Sequence, residues 1–425
     1  MVGSRSETGK ASRPGWRLGQ IPKEHHMHSE IFAHVNQATC AAENHGRLFG
    51  KRVGVQSLFC VRGWPCTGGS KALEGFHPLE DATVIQRLKT EGAVLAGSTR
   101  SSELGLGIAG DGAAKAVSQG LVHAALMMDT LGEARVAAVK AGLFGFKPSW
   151  GRVSRFGLMG LAPSMECCGM LASNLDDIAR MLETVAHIDE RDPSMAADKP
   201  TGTSPALTRA GVFKELQDLL EPQERSAFSQ AVSRLEQAGL TIREAQYKDL
   251  SLFAAVHQVI AAVEASSSCG KFDGVRFGHR ASGGKNWNEM YLQTRRESFG
   301  PLMKAFLFQG AYFQFEDYAA FEQACRIRTR LVQGLAKLLE NLDVLVLPAL
   351  HAKREPASPR DIEELYRAFS LTLPASVAGL PAIALPGMVR CDGRDLGLQL
   401  VGSWGTDQGM LALAQRLTTL TQGAP

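Results

Sequence analysis

Gly145-Phe146-Lys147-Pro148-Ser149-Trp150-Gly151-Arg152-Val153-Ser154-Arg155-Phe156-Gly157 sits between two sets of alternating strand and helix patterns. Upstream, Arg52-Val53-Gly54-Val55 carries a short strand signal. Asp81 to Gly92 has helical spacing, with Ala82, Val84, Ile85 and Leu88 apolar. Ala93-Val94-Leu95-Ala96 reads as a buried strand stopped at Gly97, and Val122 to Met128 as another. A Gly/Ala/Ser-rich stretch, Gly105 to Gly120, separates them. Downstream, Asn174 is placed to cap a helix reaching Ala186, with Asp176 and Asp177 in its first turn. After a polar linker, Pro200 to Thr208, a second α/β unit follows: Ala210–Phe213 (strand), Glu224–Ala238 (helix) and Leu240–Ile242 (strand). Helical patterns fill 250–270 and 316–341. Strands are predicted at Asp343–Pro348, Ala382–Leu385 and Leu396–Leu400, and a closing helix at 408–421. The alternation points to an α/β architecture without internal repeats.

The totals set bounds. With 425 residues, 44% of them hydrophobic, the chain has material for a large core. Its 46 basic and 43 acidic residues nearly balance, so no broad nucleic-acid-binding surface is expected. No uninterrupted run of about 18 apolar residues predicts a membrane span. Met1 to Lys23 lacks the apolar core of a secretory signal and reads as a tail. A mitochondrial presequence shares its Ser/Gly/Arg bias, so the cytoplasm is the expected location and the mitochondrial matrix the other one allowed. None of the eight cysteines forms a C-x-x-C pair, which removes the zinc and thioredoxin readings. His25, His26 and His28 lie in the tail without a structured frame and are read as incidental. No metal or cofactor is expected.

The quoted stretch resembles the amidase-signature family, whose pattern there is G-L-K-P-T-x-G-R-V-S-R-x-G. Further matches resemble one branch of it, the A subunits of glutamyl-tRNA(Gln)/aspartyl-tRNA(Asn) amidotransferases. They are Glu264-Ala265-Ser266-Ser267, Phe272-Asp273-Gly274-Val275-Arg276-Phe277-Gly278 and Thr294-Arg295-Arg296-Glu297-Ser298-Phe299-Gly300. Val377-Ala378-Gly379-Leu380-Pro381 and Gly397-Leu398-Gln399 follow in the same order. The resemblance implies an α/β fold with one mixed central β-sheet sandwiched between layers of helices. It implies a flexible tail over 1–30 and one amidase-signature domain over 31–425, with an α/β plus helical insertion at about 206–342.

The family's catalytic unit is a nucleophilic serine, a relay serine and a lysine. A serine hydroxyl needs such a base to attack an amide at neutral pH, and backbone N–H groups in a Gly-rich turn stabilise the oxyanion. Each position is altered here. The lysine that ends a strand in G-I-P-I-A-I-K-D corresponds to Gln56. An amide takes no proton at useful pH. The relay position falls on Ala109, or on Gly110 one residue later, and no serine lies between Ser102 and Ser118. Roughly 20 residues that precede this loop in the family are missing, a change surface loops tolerate. The nucleophile follows D-T-G-G-S-I-R, and this chain has Asp129-Thr130-Leu131-Gly132-Glu133-Ala134-Arg135. Glu133 replaces the serine. Leu131 replaces the first glycine and is expected to alter the turn, because positive φ is costly for it.

Remnants of the substrate pocket are Tyr312, matching a tyrosine that contacts glutamine in that branch, with Arg135 and Thr406, the last standing where the family has an acid. Glu133 is open to three roles: a carboxylate nucleophile, a buried partner of Arg135 or another nearby basic group, or a plug in the old pocket. Gly105-Leu106-Gly107-Ile108-Ala109-Gly110 spells G-x-G-x-x-G. It follows the polar Arg100 to Glu103, however, and not an apolar strand, so no dinucleotide site is expected. Losing one member of such a triad costs on the order of 10⁴ in rate. The expectation is therefore a pseudo-enzyme that binds or scaffolds, its partners resembling the B or C subunits of an amidotransferase complex. The alternative is a working amidotransferase A-type subunit or amidase with rebuilt chemistry.

Overall fold

A computed structural model describes residues 29–37, 46–195, 207–352 and 359–422. Most of the tail, the three tail histidines, Cys40 and the linker up to Ala206 lie outside the described residues.

The strands are β1 (Phe32–Val35), β2 (Arg52–Gln56), β3 (Val94–Thr99), β4 (Ala124–Asp129), β5 (Phe144–Lys147), β6 (Cys167–Ala172), β7 (Arg209–Phe213), β8 (Thr241–Ala245), β9 (Val344–Pro348), β10 (Ala382–Leu385), β11 (Arg390–Cys391), β12 (Arg394–Asp395) and β13 (Leu398–Gly402). Eleven of them form one sheet in the order β1-β3-β2-β4-β6-β5-β10-β13-β9-β7-β8, and β11 and β12 form a small ribbon. The sheet is mixed: β2 runs parallel to β3 and β4, β7 parallel to β8 and β9, and the centre is antiparallel.

Sequence explains which strands are central. β4 reads Ala-Ala-Leu-Met-Met-Asp and is buried throughout, as expected of a strand covered on both faces. It sends Ala124, Leu126 and Met128 into a large apolar cluster and Ala125 and Met127 into a smaller one on the other face. The helix Leu175–Val185 starts where its capping signal predicts, the Asn174 side chain accepting from Asp177 N at 2.9 Å.

One expectation about the strands needs correction. Gly97 does not stop its strand: β3 continues to Thr99. A Cβ on Gly97 would lie 2.3 Å from the His34 carbonyl oxygen, so this glycine lets the backbone of β1 come close. The second α/β unit, 209–245, shares the main sheet, because β7 joins β9 and extends it. The helix Leu252–Ser268, continued to Lys271, has the length and apolarity of a membrane span. Reading for uninterrupted runs passes over it because Gln258 and Glu264 break the run. It is a core helix: Phe253, Val256, Ile260 and Ala261 are buried, and it packs against the helices Pro301–Phe315 and Tyr318–Leu339.

Candidate active site

β2 and β4 are parallel neighbours, so their C-terminal ends deliver Gln56 and Asp129 to the same end of the sheet. Gln56 is buried, and its Oε1 accepts from Met128 N at 2.9 Å. That N–H requires an acceptor, which turns Nε2 the other way, where it has no partner. The hydroxyls of Thr99, paired in register with Gln56, and of Thr130 are likewise buried without partners. Ser57, next to Gln56, shares a hydroxyl contact of 3.1 Å with Ser101.

After β4 the chain turns through Thr130, Leu131 and Gly132 into the helix Glu133–Lys140. Gly132 takes φ 133°, and a Cβ there would lie 2.3 Å from the Thr372 hydroxyl, so only glycine fits. Leu131 keeps an ordinary negative φ. The expected disruption of the turn is therefore absent: the positive φ falls on Gly132 and three N–H groups still converge. They converge on the chain's own carboxylate. Glu133 Oε2 accepts from Thr130 N at 2.8 Å, Leu131 N at 2.7 Å and Gly132 N at 3.1 Å. Its other oxygen faces Gly107 N at 3.4 Å. Glu133 is fully buried.

Arg135 does not pair with Glu133. Its guanidinium grips Asp129 through Nε (3.1 Å) and one terminal nitrogen (2.8 Å). The remaining N–H groups donate to Thr372 O, Gln399 Oε1 and the Ser376 hydroxyl, so all five donors are engaged in a fully buried site. Thr372 also donates its hydroxyl to Leu131 O at 2.6 Å. The turn is thus tied to the segments that carry Thr372, Ser376 and Gln399.

A second brace comes from the helix Leu252–Ser268. His257 Nε2 lies 3.2 Å from Thr130 O, and its Nδ1 lies 2.9 Å from the Tyr366 hydroxyl. A carbonyl only accepts, so Nε2 carries the proton and Tyr366 donates to Nδ1. Burial holds the imidazole down to about 3, keeping it neutral. Burial and the nearby Glu133 carboxylate push the Tyr366 hydroxyl well up. Sequence reading found none of His257, Tyr366, Thr372 or Ser376. A histidine among the apolar residues of that helix was the one available signal.

The other sequence-derived positions lie outside this cluster. Ala109 and Gly110 form a partly exposed turn; the loop reaches Glu133 through Gly107 instead. Tyr312 stands on the exposed side of its helix with Phe308 and Phe315. Thr406 donates its hydroxyl to Ser403 O, while its neighbour Asp407 is buried and accepts from Ser149 N and Oγ. Lys51 pairs with Asp177 at 2.7 Å, Lys115 is exposed, and the buried Lys147 amine donates to Pro148 O. Among the described residues no lysine amine hydrogen-bonds a serine hydroxyl.

The signature stretch itself is structural. Ser149 holds Asp407, Ser154 donates to Asp189 at 2.7 Å, and Arg155 pairs with Glu166 at 3.1 Å.

Glu133 makes stability depend on pH. Burial and the Asp129 carboxylate push its carboxyl up to about 7, against the N–H donors of the turn, which pull it down. The folded state therefore holds this proton more tightly than the unfolded chain. The resulting stabilisation is complete below about pH 4.5 and is lost as pH rises through about 7, on the order of 3 kcal/mol. Asp111, also pushed up to about 7 by burial, acts in the same direction, and His257 in the opposite one. Urea unfolding of wild type and Glu133→Gln between about pH 5 and pH 8 isolates the Glu133 contribution. Wild type is expected to lose stability relative to the variant as pH rises; a constant difference contradicts the assignment.

The chain is thus a mixed, helix-covered sheet with a ring of N–H donors just past a central strand. The chain belongs to the amidase family, whose model, described as Amidase, matches residues 27–112 and 109–411. It is 32% identical over 411 residues to the A subunit of glutamyl-tRNA(Gln) amidotransferase from Symbiobacterium thermophilum, covering 89% of this chain and 84% of that one. The protein of the same name from Natronomonas pharaonis is 33% identical, with 87% and 95% covered. The crystal structure of the Thermotoga maritima counterpart superposes with a TM-score of 0.75 at 25% identity, covering 91% of this chain and 87% of the other.

Proposed function

We propose that this chain is an amidase-signature pseudo-enzyme, related to the A subunit of glutamyl-tRNA(Gln) amidotransferase, that does not hydrolyse amides and acts as a binding or scaffold protein. The observation that carries the reading is the Glu133 carboxylate on the three N–H groups of its own turn. A tetrahedral intermediate needs those donors for its oxyanion. Here the chain's own carboxyl oxygen holds them already, in a site with no exposed surface at Glu133. Gln56 supplies no base, and Ala109 and Gly110 supply no hydroxyl.

The alternative, an amidotransferase A-type subunit or amidase with rebuilt chemistry, needs a nucleophile and a base in contact. A carboxylate bound by backbone donors is a poor nucleophile, and the neutral His257 is engaged on both ring nitrogens. The relatives are named as subunits, so a partner of the B- or C-subunit type is part of this proposal, as is a cytoplasmic or mitochondrial-matrix location.

Ammonia release from glutamine and from a series of small amides tests the proposal. Purified protein is expected to match the buffer background; turnover clearly above it, abolished by Glu133→Gln, refutes the reading.

A further inference from the structure

The sheet ends at β8, and this edge is open among the described residues. Thr241 N–H donates to Thr208 O at 2.8 Å, and Ala245 O accepts from Lys214 N at 2.9 Å. In a parallel ladder this register turns the main chain of Thr241, Arg243 and Ala245 toward β7 and that of Ile242 and Glu244 outward. Beside this edge runs a groove of about 610 Å³, its far wall formed by the helix Tyr318–Leu339 and the residues after it. Arg243, Lys248, Arg330 and Lys337 line it, with Tyr247 and Leu342 among its less polar walls. The Tyr247 hydroxyl donates to Leu331 O at 2.7 Å, which fixes the β8 side of the groove to that helix.

The charges do not cancel. Asp249 pairs with Arg330 at 3.2 Å, and Glu244 lies 4.0 Å from Lys214. Arg243, Lys248 and Lys337 make no ion pair among the described residues. A free strand edge recruits an extended chain through main-chain hydrogen bonds. Uncompensated cations along it select the charge of that chain.

We infer that β8 and the adjoining basic groove form a docking site for an acidic, extended segment of a partner protein, added to the sheet as a further strand. A second copy of this chain fits less well: antiparallel pairing of β8 about Arg243 or Glu244 opposes like charges, and pairing about Ile242 leaves both basic grooves without a counter-charge. The inference is independent of whether the amidase cleft is active.

The test uses the full chain and a labelled heptapeptide alternating glutamate and valine, which places every carboxylate on one face of an added strand. The controls are a lysine–valine counterpart and inorganic tripolyphosphate. Fluorescence anisotropy is expected to show binding of the acidic peptide that weakens with salt. Arg243→Glu combined with Lys337→Glu is expected to weaken it at least about tenfold, a loss of about 1.4 kcal/mol. The decisive variant is Glu244→Pro. It removes an outward N–H without touching the ladder to β7, a position where edge strands tolerate proline. It also removes a negative charge, so a purely electrostatic site would bind the peptide more tightly, whereas strand addition is blocked. Retained acidic-peptide binding in Glu244→Pro, equal binding of the lysine peptide, no binding at all, or a wild-type dimer that Glu244→Pro dissociates would each overturn the assignment.

Discussion

Glu133→Ala is expected to cost about 3 kcal/mol of folding stability near neutral pH, read from urea unfolding. The substitution leaves the N–H groups of Thr130, Leu131 and Gly132 without their acceptor in a buried turn. Each orphaned donor costs about 1–3 kcal/mol. The sum is offset in part because the deleted acid is itself disfavoured when ionised, burial having pushed it up to about 7. Under the proposed reading this position corresponds to an amidase's nucleophile, whose loss would read out in rate. Here the readout is stability. A cost below about 0.5 kcal/mol, the range of an indifferent surface site, contradicts the account.

Arg135→Met is expected to be more severe, at about 4 kcal/mol. The guanidinium is fully buried and supplies both hydrogen bonds of the ion pair with Asp129. Removing one member of a buried pair leaves the other charged in a dry site, which typically costs about 3–5 kcal/mol. Thr372 O, Gln399 and Ser376 lose a donor as well. The damage spreads across the fold because these groups come from sequence positions more than 200 residues away. Asp129→Asn added to Arg135→Met is expected to recover part of the loss, since it removes the uncompensated charge. Additive losses in that double-mutant cycle would mean that Arg135 acts through its packing and not through the pair.

Much of this architecture is legible in the amino-acid sequence. The apolar strands announce themselves: β4 and β9 are short continuous apolar runs, too short for a helix of ordinary length and matching strands covered on both faces. Gln56 and Glu133 are placed by order along the chain, because Gln56 ends β2 and Glu133 starts the helix just after β4. What stands around them is not. Pattern reading sees neighbours three or four residues apart, whereas the turn is held by Thr372, Ser376, Gln399 and His257, brought in by tertiary folding. The closeness of Glu133 and Arg135 in sequence suggests an ion pair. The helix directions separate them: Glu133, at the helix start, points back into the turn, and Arg135 reaches Asp129 at the end of β4. Leu131 misleads for a similar reason, since the turn places its positive φ on the following glycine.

The central claim is that Glu133 occupies the place of the reaction's oxyanion. Glu133→Ala removes a methylene and a carboxylate, which together are the heavy atoms of acetate. Thermal unfolding of wild type and Glu133→Ala in sodium acetate, with sodium chloride at equal ionic strength as the reference, tests the claim most directly. Acetate should stabilise the variant selectively and leave wild type unmoved, by refilling the emptied ring of N–H donors. Equal responses of the two proteins to acetate would contradict it.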